Sequence, residues 1–214
     1  MSKSESRLRR PPKQERSRER VEEILGAAKR LIGEKGIDAV KMREIAALAG
    51  GPISSIYQYF PNKSAIIATL HSQWSAEVYA LMEAGLAGVA GLDELFAAAA
   101  AILDGYHRRI ASDPAILDMM NAVQADKALN NMDIAETRRQ AHLFCEIARP
   151  WIAAERFDAF SRTAFLMFQL SNGAVRLALS VDGDESLAVI SDYKTIIRTQ
   201  LQAFAKPAST SNRP

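Results

Sequence analysis

From about Arg18, apolar side chains recur every three or four residues: Val21, Ile24, Leu25, Ala28, Leu31 and Ile32. That spacing predicts an amphipathic helix, and Gly36 stops it. Met42, Ile45, Ala46 and Ala49 repeat the pattern over a shorter helix, about 41–48, before Gly50-Gly51-Pro52 interrupts the chain. A second short helix is expected from Pro52 to about Tyr59. Pro61-Asn62 ends it, and Asn62 is a good N-cap for the next helix. Beyond Asn62 every segment reads as helix, over about 63–88, 93–111, 114–128, 130–152, 156–181 and 185–205. The expected breaks are Gly91, Asp113-Pro114, Asn130-Asn131, Pro150 and Asp182-Gly183-Asp184. Alanines 97–101 favour helix by propensity. No stretch alternates with period two, and no internal repeat is evident. The expected fold is all-α, with a three-helix N-terminal head and a larger helical body. Residues 1–17 are polar with two prolines and read as a flexible basic arm. Residues 207–214 read as a disordered tail.

Composition narrows the class. The chain has 214 residues, 48% hydrophobic and 24% charged, which suits a folded core and argues against wholesale disorder. One cysteine, Cys145, excludes an internal disulfide framework and a cysteine-rich zinc site. No apolar run reaches the ~20 residues of a membrane span, and the N-terminus lacks the apolar stretch of a secretory signal. A reduced, cytoplasmic compartment is expected, with no membrane partner. The charge is unevenly placed. Residues 1–63 carry 14 Lys/Arg against 8 Asp/Glu, while the remainder carries 13 against 17. A basic front on an acidic body suits a polyanion-binding head.

Two short helices meeting at a glycine define a helix-turn-helix test. The crossing needs a small residue on the first helix, a turn residue tolerant of positive φ and an apolar lock on the second helix. Ala46, Gly50 and Ile56 fill these roles. The second helix then presents Ile53, Ser54, Ser55, Tyr57 and Gln58 where a major groove would lie.

The segment Ile45-Ala46-Ala47-Leu48-Ala49-Gly50, followed by Ser55-Ile56-Tyr57-Gln58-Tyr59-Phe60-Pro61-Asn62-Lys63, resembles the signature of the TetR family of transcriptional regulators. The likeness covers about residues 18–66. The rest of the chain is similar only in length and helical pattern. Two departures from the family motif stand out. Gly51-Pro52 replaces the usual Val-Ser, moving the expected cap to Gly51 with Pro52 as first helical residue. Ser54 replaces the usual glycine and adds a hydroxyl. The resemblance implies a DNA-binding domain over 18–62 and an effector-binding and dimerisation domain over 63–206.

Chemistry suggests roles within the head. Tyr57 and Tyr59 carry hydroxyls that reach phosphate, Tyr57 being the stronger ligand by resemblance. Lys63, at the start of the next helix, could grip a phosphate with the helix amides. Ser55 and Lys41 are further phosphate candidates, and Arg43 reaches backbone or a base edge. Gln58 is the best base reader, since its amide can pair bidentately with adenine, and Ile53 can meet a thymine methyl. Phe60 reads as core. Arg9, Arg10, Lys13, Arg16 and Arg18 could follow the minor groove.

The head reads few bases, so double-stranded DNA with an inverted repeat and a homodimer are the expected partners. The last two long helices offer dimer stripes: Phe157, Phe160, Ala164, Phe168, Ser171, Val175 and Ala178, then Leu187, Ile190, Ile197, Leu201 and Phe204. The family resemblance implies a small-molecule effector among the middle helices. Candidate wall residues are His71, Trp74, Tyr106, His107, Met119, Met120, Gln124, His142, Phe144, Met167, Gln169 and Asn172. The histidines lack ligand spacing, so no metal or other cofactor is assigned. Cys145 near His142 lacks a third orienting group, and no catalytic set or phosphate loop stands out. A regulator, most often a repressor released by its effector, is the leading reading. A constitutive or architectural DNA binder is the alternative.

Overall fold

The computed structural model describes residues 13–207. The arm residues Arg9 and Arg10 and the tail 208–214 lie outside that range. The described residues form helices α1 (Lys13–Lys35), α2 (Met42–Leu48), α3 (Ile53–Tyr57), α4 (Lys63–Leu86), α5 (Leu92–Ala111), α6 (Pro114–Ala125), α7 (Lys127–Ala148), α8 (Phe157–Ser180) and α9 (Gly183–Phe204). No strand occurs among them; Ile152 and Ala205 form one isolated antiparallel bridge.

Three boundaries move from the sequence reading. α1 begins at Lys13, not Arg18, because the helix-forming residues Lys13, Gln14, Glu15 and Arg16 are already wound into it. α7 begins at Lys127, and Asn130-Asn131 lies inside it. The cause is Asp126, whose carboxylate accepts from the amides of Ala128 at 2.8 Å and Leu129 at 3.2 Å. Pro150 sits in a single 3-10 turn, Arg149–Trp151, that ends α7.

α1, α2 and α3 make the head. Ile24, Leu25, Ala28 and Ile32 are buried with Val40, Ile45, Ala46, Ile56 and Phe60, in a core that continues into Ile66 and Ile67 of α4. α1 also packs on α4 and α6, which joins head to body. Lys29 Nζ lies 2.7 Å from Asp113 Oδ2, and Gln73 Nε2 donates to Glu22 Oε1 at 3.2 Å. Gly33 faces Ala115, where a Cβ on the glycine would make ordinary contact at 3.6 Å.

α4 is the shared element. Asn62 caps it by accepting from Ala65 N at 2.9 Å, as the sequence implies. Its buried stripe runs through Ile66, Leu70, Trp74, Val78 and Met82 to Leu86. Near its far end it lies close to α5: a Cβ on Gly85 would fall 2.9 Å from Ile102 Cγ1. α7, α8 and α9 pack in succession against one another. The end of α9 is pinned to the α7–α8 connection by Ala153 N donating to Phe204 O and Lys206 N to Trp151 O.

The apolar stripes of the last two helices face inward. Phe160, Ala164, Val175, Ala178, Ile190, Leu201 and Phe204 are buried in the protomer core, and only Leu187 of the named set is largely exposed. The outward apolar side chains of α8 are instead Leu166, Leu170 and Leu177, between 48% and 55% exposed, with Ile196 on α9. The large side chains that mark a stripe in sequence are those the body needs for its own core.

Candidate nucleic-acid interface and effector cavity

The turn between α2 and α3 follows the expected chemistry. Gly50 adopts φ +70°, a conformation a side chain would strain. Ala46 and Ile56 are buried and lock the two helices. Pro52, however, occupies the N-cap position itself, with extended φ −69° and ψ 150°, and no side chain caps α3. Ser55 N donates to the Pro52 carbonyl at 3.0 Å. Gly51 is therefore one residue outside the cap, and its lack of a side chain serves another purpose.

That purpose is room for Arg20. From α1, the Arg20 guanidinium reaches over the turn. Its Nη1 donates to the Ala49 carbonyl and to Glu23 Oε2 at 2.8 Å, and its Nε approaches Ser55 Oγ at 3.4 Å. Nη2 is buried without a partner. Arg20 is absent from the sequence candidates because only the folded head brings α1 onto the turn.

Ile53, Ser54 and Tyr57 are exposed on α3 and Gln58 at its C-cap, and Arg43 is exposed on α2 with Lys41 at its N-cap. These six are the solvent-facing members of the expected DNA-contact set. Ser55 and Tyr59 are half-buried; Ser55 faces Arg20, and Tyr59 packs against the core. Lys63 departs from its expected role as a free phosphate ligand. Its ammonium donates to the Ile37 carbonyl at 2.7 Å and approaches that of Val40 at 3.4 Å. Lys63 thus fastens the α1–α2 connection to the start of α4. Glu44 makes a second fastening: its carboxylate accepts from Lys41 N at 2.9 Å and meets Lys35 Nζ at 2.7 Å. The Lys35 hydrogen bond, then that from Lys41 N, holds its pKa below the usual carboxylate range.

The body holds a cavity among helices α4 to α9, about 1140 Å³ of free space counting the solvent at its mouth. His71, Trp74, Tyr106, Met120, Phe144, Met167 and Asn172 line it, as the sequence suggests. Met119 is buried but outside the wall. The structure adds Asp133, Thr137 and Gln140, on one face of α7 at helical spacing, and Ser75 one turn from His71. That α7 face was legible as i, i+4, i+7, but polar residues at that spacing also mark a solvated surface.

Within the cavity His71 is buried, with Nε2 3.0 Å from Asp133 Oδ1. Tyr106 OH donates to Asn172 Oδ1 at 2.5 Å. Burial, then the nearby Asp133 charge, pushes the Tyr106 pKa up, so the phenol stays neutral. Tyr193 OH donates to the Met167 carbonyl, and burial raises its pKa as well. Trp74 and Tyr106 pack with ring centres 5.7 Å apart.

Besides Met119, four sequence candidates fall outside the wall. Gln124 is exposed and accepts from Arg176 at 3.0 Å. His142 is exposed on the outer face of α7, 3.9 Å from Glu146. His107 and Gln169 are half-buried away from the cavity, each with a buried, unpartnered Nε2. One helical position separates His107 from the wall residue Tyr106, enough to turn it off the cavity face. Cys145 is buried, and that burial pushes its thiol pKa up to about 11 despite a hydrogen bond with Ser161, so it is a poor nucleophile.

Comparison with known proteins agrees with this architecture. The family model described as "Bacterial regulatory proteins, tetR family" matches residues 24–70, and that described as "Tetracyclin repressor-like, C-terminal domain" matches residues 93–205. The chain belongs to the TetR family: it is a DNA-binding transcriptional regulator. No curated protein matches it by sequence. Among solved structures, a TetR regulator from Haloarcula marismortui superposes with TM-score 0.67 at 13% identity, over 88% of this chain and 100% of that one. A transcriptional regulator from Streptomyces coelicolor A3(2) gives 0.63 at 21% identity, over 83% and 98%. RolR in complex with resorcinol gives 0.59 at 18% identity, over 94% and 97%. These likenesses concern the fold.

Proposed function

We propose that the protein is a homodimeric repressor that leaves an inverted-repeat operator when a small molecule enters the body cavity. The observation that carries this reading is the continuity of α4. One helix begins at Lys63, which is fastened to the head, and supplies His71, Trp74, Ser75, Val78 and Met82 to the cavity wall. A ligand that favours a different seating of α4 biases the head, provided it binds the DNA-incompetent state more tightly. A constitutive binder has no use for such a cavity, whereas a fold neighbour was solved with resorcinol bound. The domain limits in this reading are 18–62 for DNA and 63–206 for effector and dimer, with the helical end of the arm extending α1. The dimer uses α8 and α9 through Leu166, Leu170, Leu177, Leu187 and Ile196 in an intersubunit four-helix bundle. A soluble cytoplasmic location fits this role.

The test selects DNA fragments with the purified protein, then titrates salt and a metabolite panel against the selected duplex. The selected motif is a palindrome, log affinity falls with log salt at about −0.9 per phosphate contact, and at least one compound releases the duplex. A flat salt response, or an asymmetric motif bound by monomer, overturns the reading.

A further inference from the structure

The charge of the cavity wall specifies more than its shape does. Among the described residues, no Lys or Arg lines the cavity, and Asp133 is its one carboxylate. The nearby cations are engaged elsewhere. Arg138 covers the Phe165 ring and Arg139 the Tyr79 ring, at 4.3 and 4.1 Å. Lys194 pairs with Asp104 at 2.6 Å, and Arg109 with Asp113 at 3.3 Å.

An anionic ligand would leave water to sit beside Asp133 with no counter-charge, which is costly in a partly desolvated site. A cationic ligand must also leave water, and the one carboxylate in the wall is already hydrogen-bonded to His71 at 3.0 Å. The hydroxyls of Tyr106 and Tyr193 are spent on Asn172 and the Met167 carbonyl. The polar groups left for a ligand are the His71–Asp133 pair, which joins α4 to α7, with Ser75 and Thr137 one turn along each helix, and the side chains of Gln140, Thr163 and Gln200. The remaining wall is aromatic and methionine-rich, with Trp74, Phe144 and Met167. That combination suits a mainly apolar ring system that carries a hydrogen-bonding group.

Resting on the effector reading above, we infer that the cavity selects an uncharged, mainly apolar molecule whose hydroxyl or similar group docks at the His71–Asp133 pair. It discriminates against carboxylates and ammonium ions of the same shape.

Three probes with one ring test this at pH 7: 2-naphthol, 2-naphthoate and 2-naphthylmethylammonium. Calorimetric titration of the full-length protein ranks them. A Trp151→Phe variant leaves Trp74 as the one tryptophan, so loss of its emission locates the probe in the cavity. 2-Naphthol is expected to bind at least tenfold more tightly than either charged probe. Asp133→Asn is expected to strengthen 2-naphthoate at least tenfold while changing 2-naphthol less. A charged probe that equals or exceeds 2-naphthol in the wild-type protein overturns the inference, whatever the variant does. An unchanged 2-naphthoate affinity in folded Asp133→Asn also overturns it, because the gate is then not Asp133. If none of the three binds, the effector reading falls and this inference with it.

Discussion

The guanidinium of Arg20 occupies the space that a side chain at residue 51 would need: a Cβ on Gly51 would lie 2.5 Å from Nη2 and 3.3 Å from Cζ. The glycine and the arginine are therefore one device, split between α1 and the turn before α3. It sets the seating of the recognition helix through the Ala49 carbonyl and Ser55. Gly51→Val, which restores the residue usual in the family motif, should displace the guanidinium and weaken operator binding by roughly 1–2 kcal/mol, in the range of a lost charged hydrogen bond. Arg20→Ala should do the same. The double variant should cost less than the two singles together, because both remove one interaction. Fluorescence anisotropy with labelled operator measures all three, and strict additivity would refute the coupling.

Lys63 and Lys41 separate stability from DNA contact. Lys63 is bonded to the Ile37 carbonyl, whereas Lys41 is exposed. Lys63→Ala should lower the unfolding free energy by about 1–2 kcal/mol and weaken all DNA sequences alike. Lys41→Ala should weaken DNA and leave stability unchanged. Urea unfolding beside anisotropy distinguishes them.

Gln58 and Tyr57 separate base reading from backbone grip. Gln58→Ala should relax the selected motif at one position, with ~1–3 kcal/mol of discrimination lost. Tyr57→Phe should reduce affinity for every sequence equally. An unaltered motif from the Gln58 variant assigns base reading to another residue.

Leu170, 48% exposed on the outer face of α8, tests the dimer. Leu170→Glu should place a charge in the four-helix interface and give a monomer by light scattering, with operator affinity reduced more than tenfold. The inward Phe160→Ala should instead destabilise the protomer by about 3–5 kcal/mol.

Asp113 gives a pH signature at the joint between head and body. Burial raises its pKa, but hydrogen bonds and charges from Lys29 and Arg109 outweigh burial and hold it below the ordinary value. A depressed carboxylate stabilises the fold above its unfolded pKa, ~3.9, and loses that contribution as pH falls through the lower folded value. Asp113→Asn should cost about 0.5–1 kcal/mol at pH 7, as a partly exposed ion pair does. The gap between variant and wild type should narrow as pH falls below that unfolded value, read by urea unfolding.

The helix-turn-helix was legible because its constraints are local. Ala46, Gly50 and Ile56 sit close together in the chain, and each role admits few residue types. Lys63 was misread because its partners, Ile37 and Val40, lie across the head and a lysine beside a helix start also suits phosphate. The apolar stripes of α8 and α9 were read as a dimer face because hydrophobicity marks burial without saying against what: Phe160 and Val175 serve the protomer, and Leu166 and Leu177 look outward. In the cavity, Trp74, Tyr106 and Asn172 were legible as aromatic or amide groups on apolar faces. Asp133 was not, since one carboxylate in a polar helix carries no mark of its buried partner.

If α4 tilts as the proposed effector switch requires, the close approach of Gly85 to Ile102 makes that end its fulcrum. The helix is held against α5 at that end, and its load, the head, hangs from Lys63 at the other. With ~1.5 Å of rise per residue, His71 lies roughly 21 Å from the fulcrum and Lys63 roughly 33 Å. Any swing about Gly85 is therefore magnified about one and a half times between the cavity and the head. In the proposed dimer the movements of two such levers would combine, so a shift too small to alter the core would be doubled again where the spacing of two half-sites is measured.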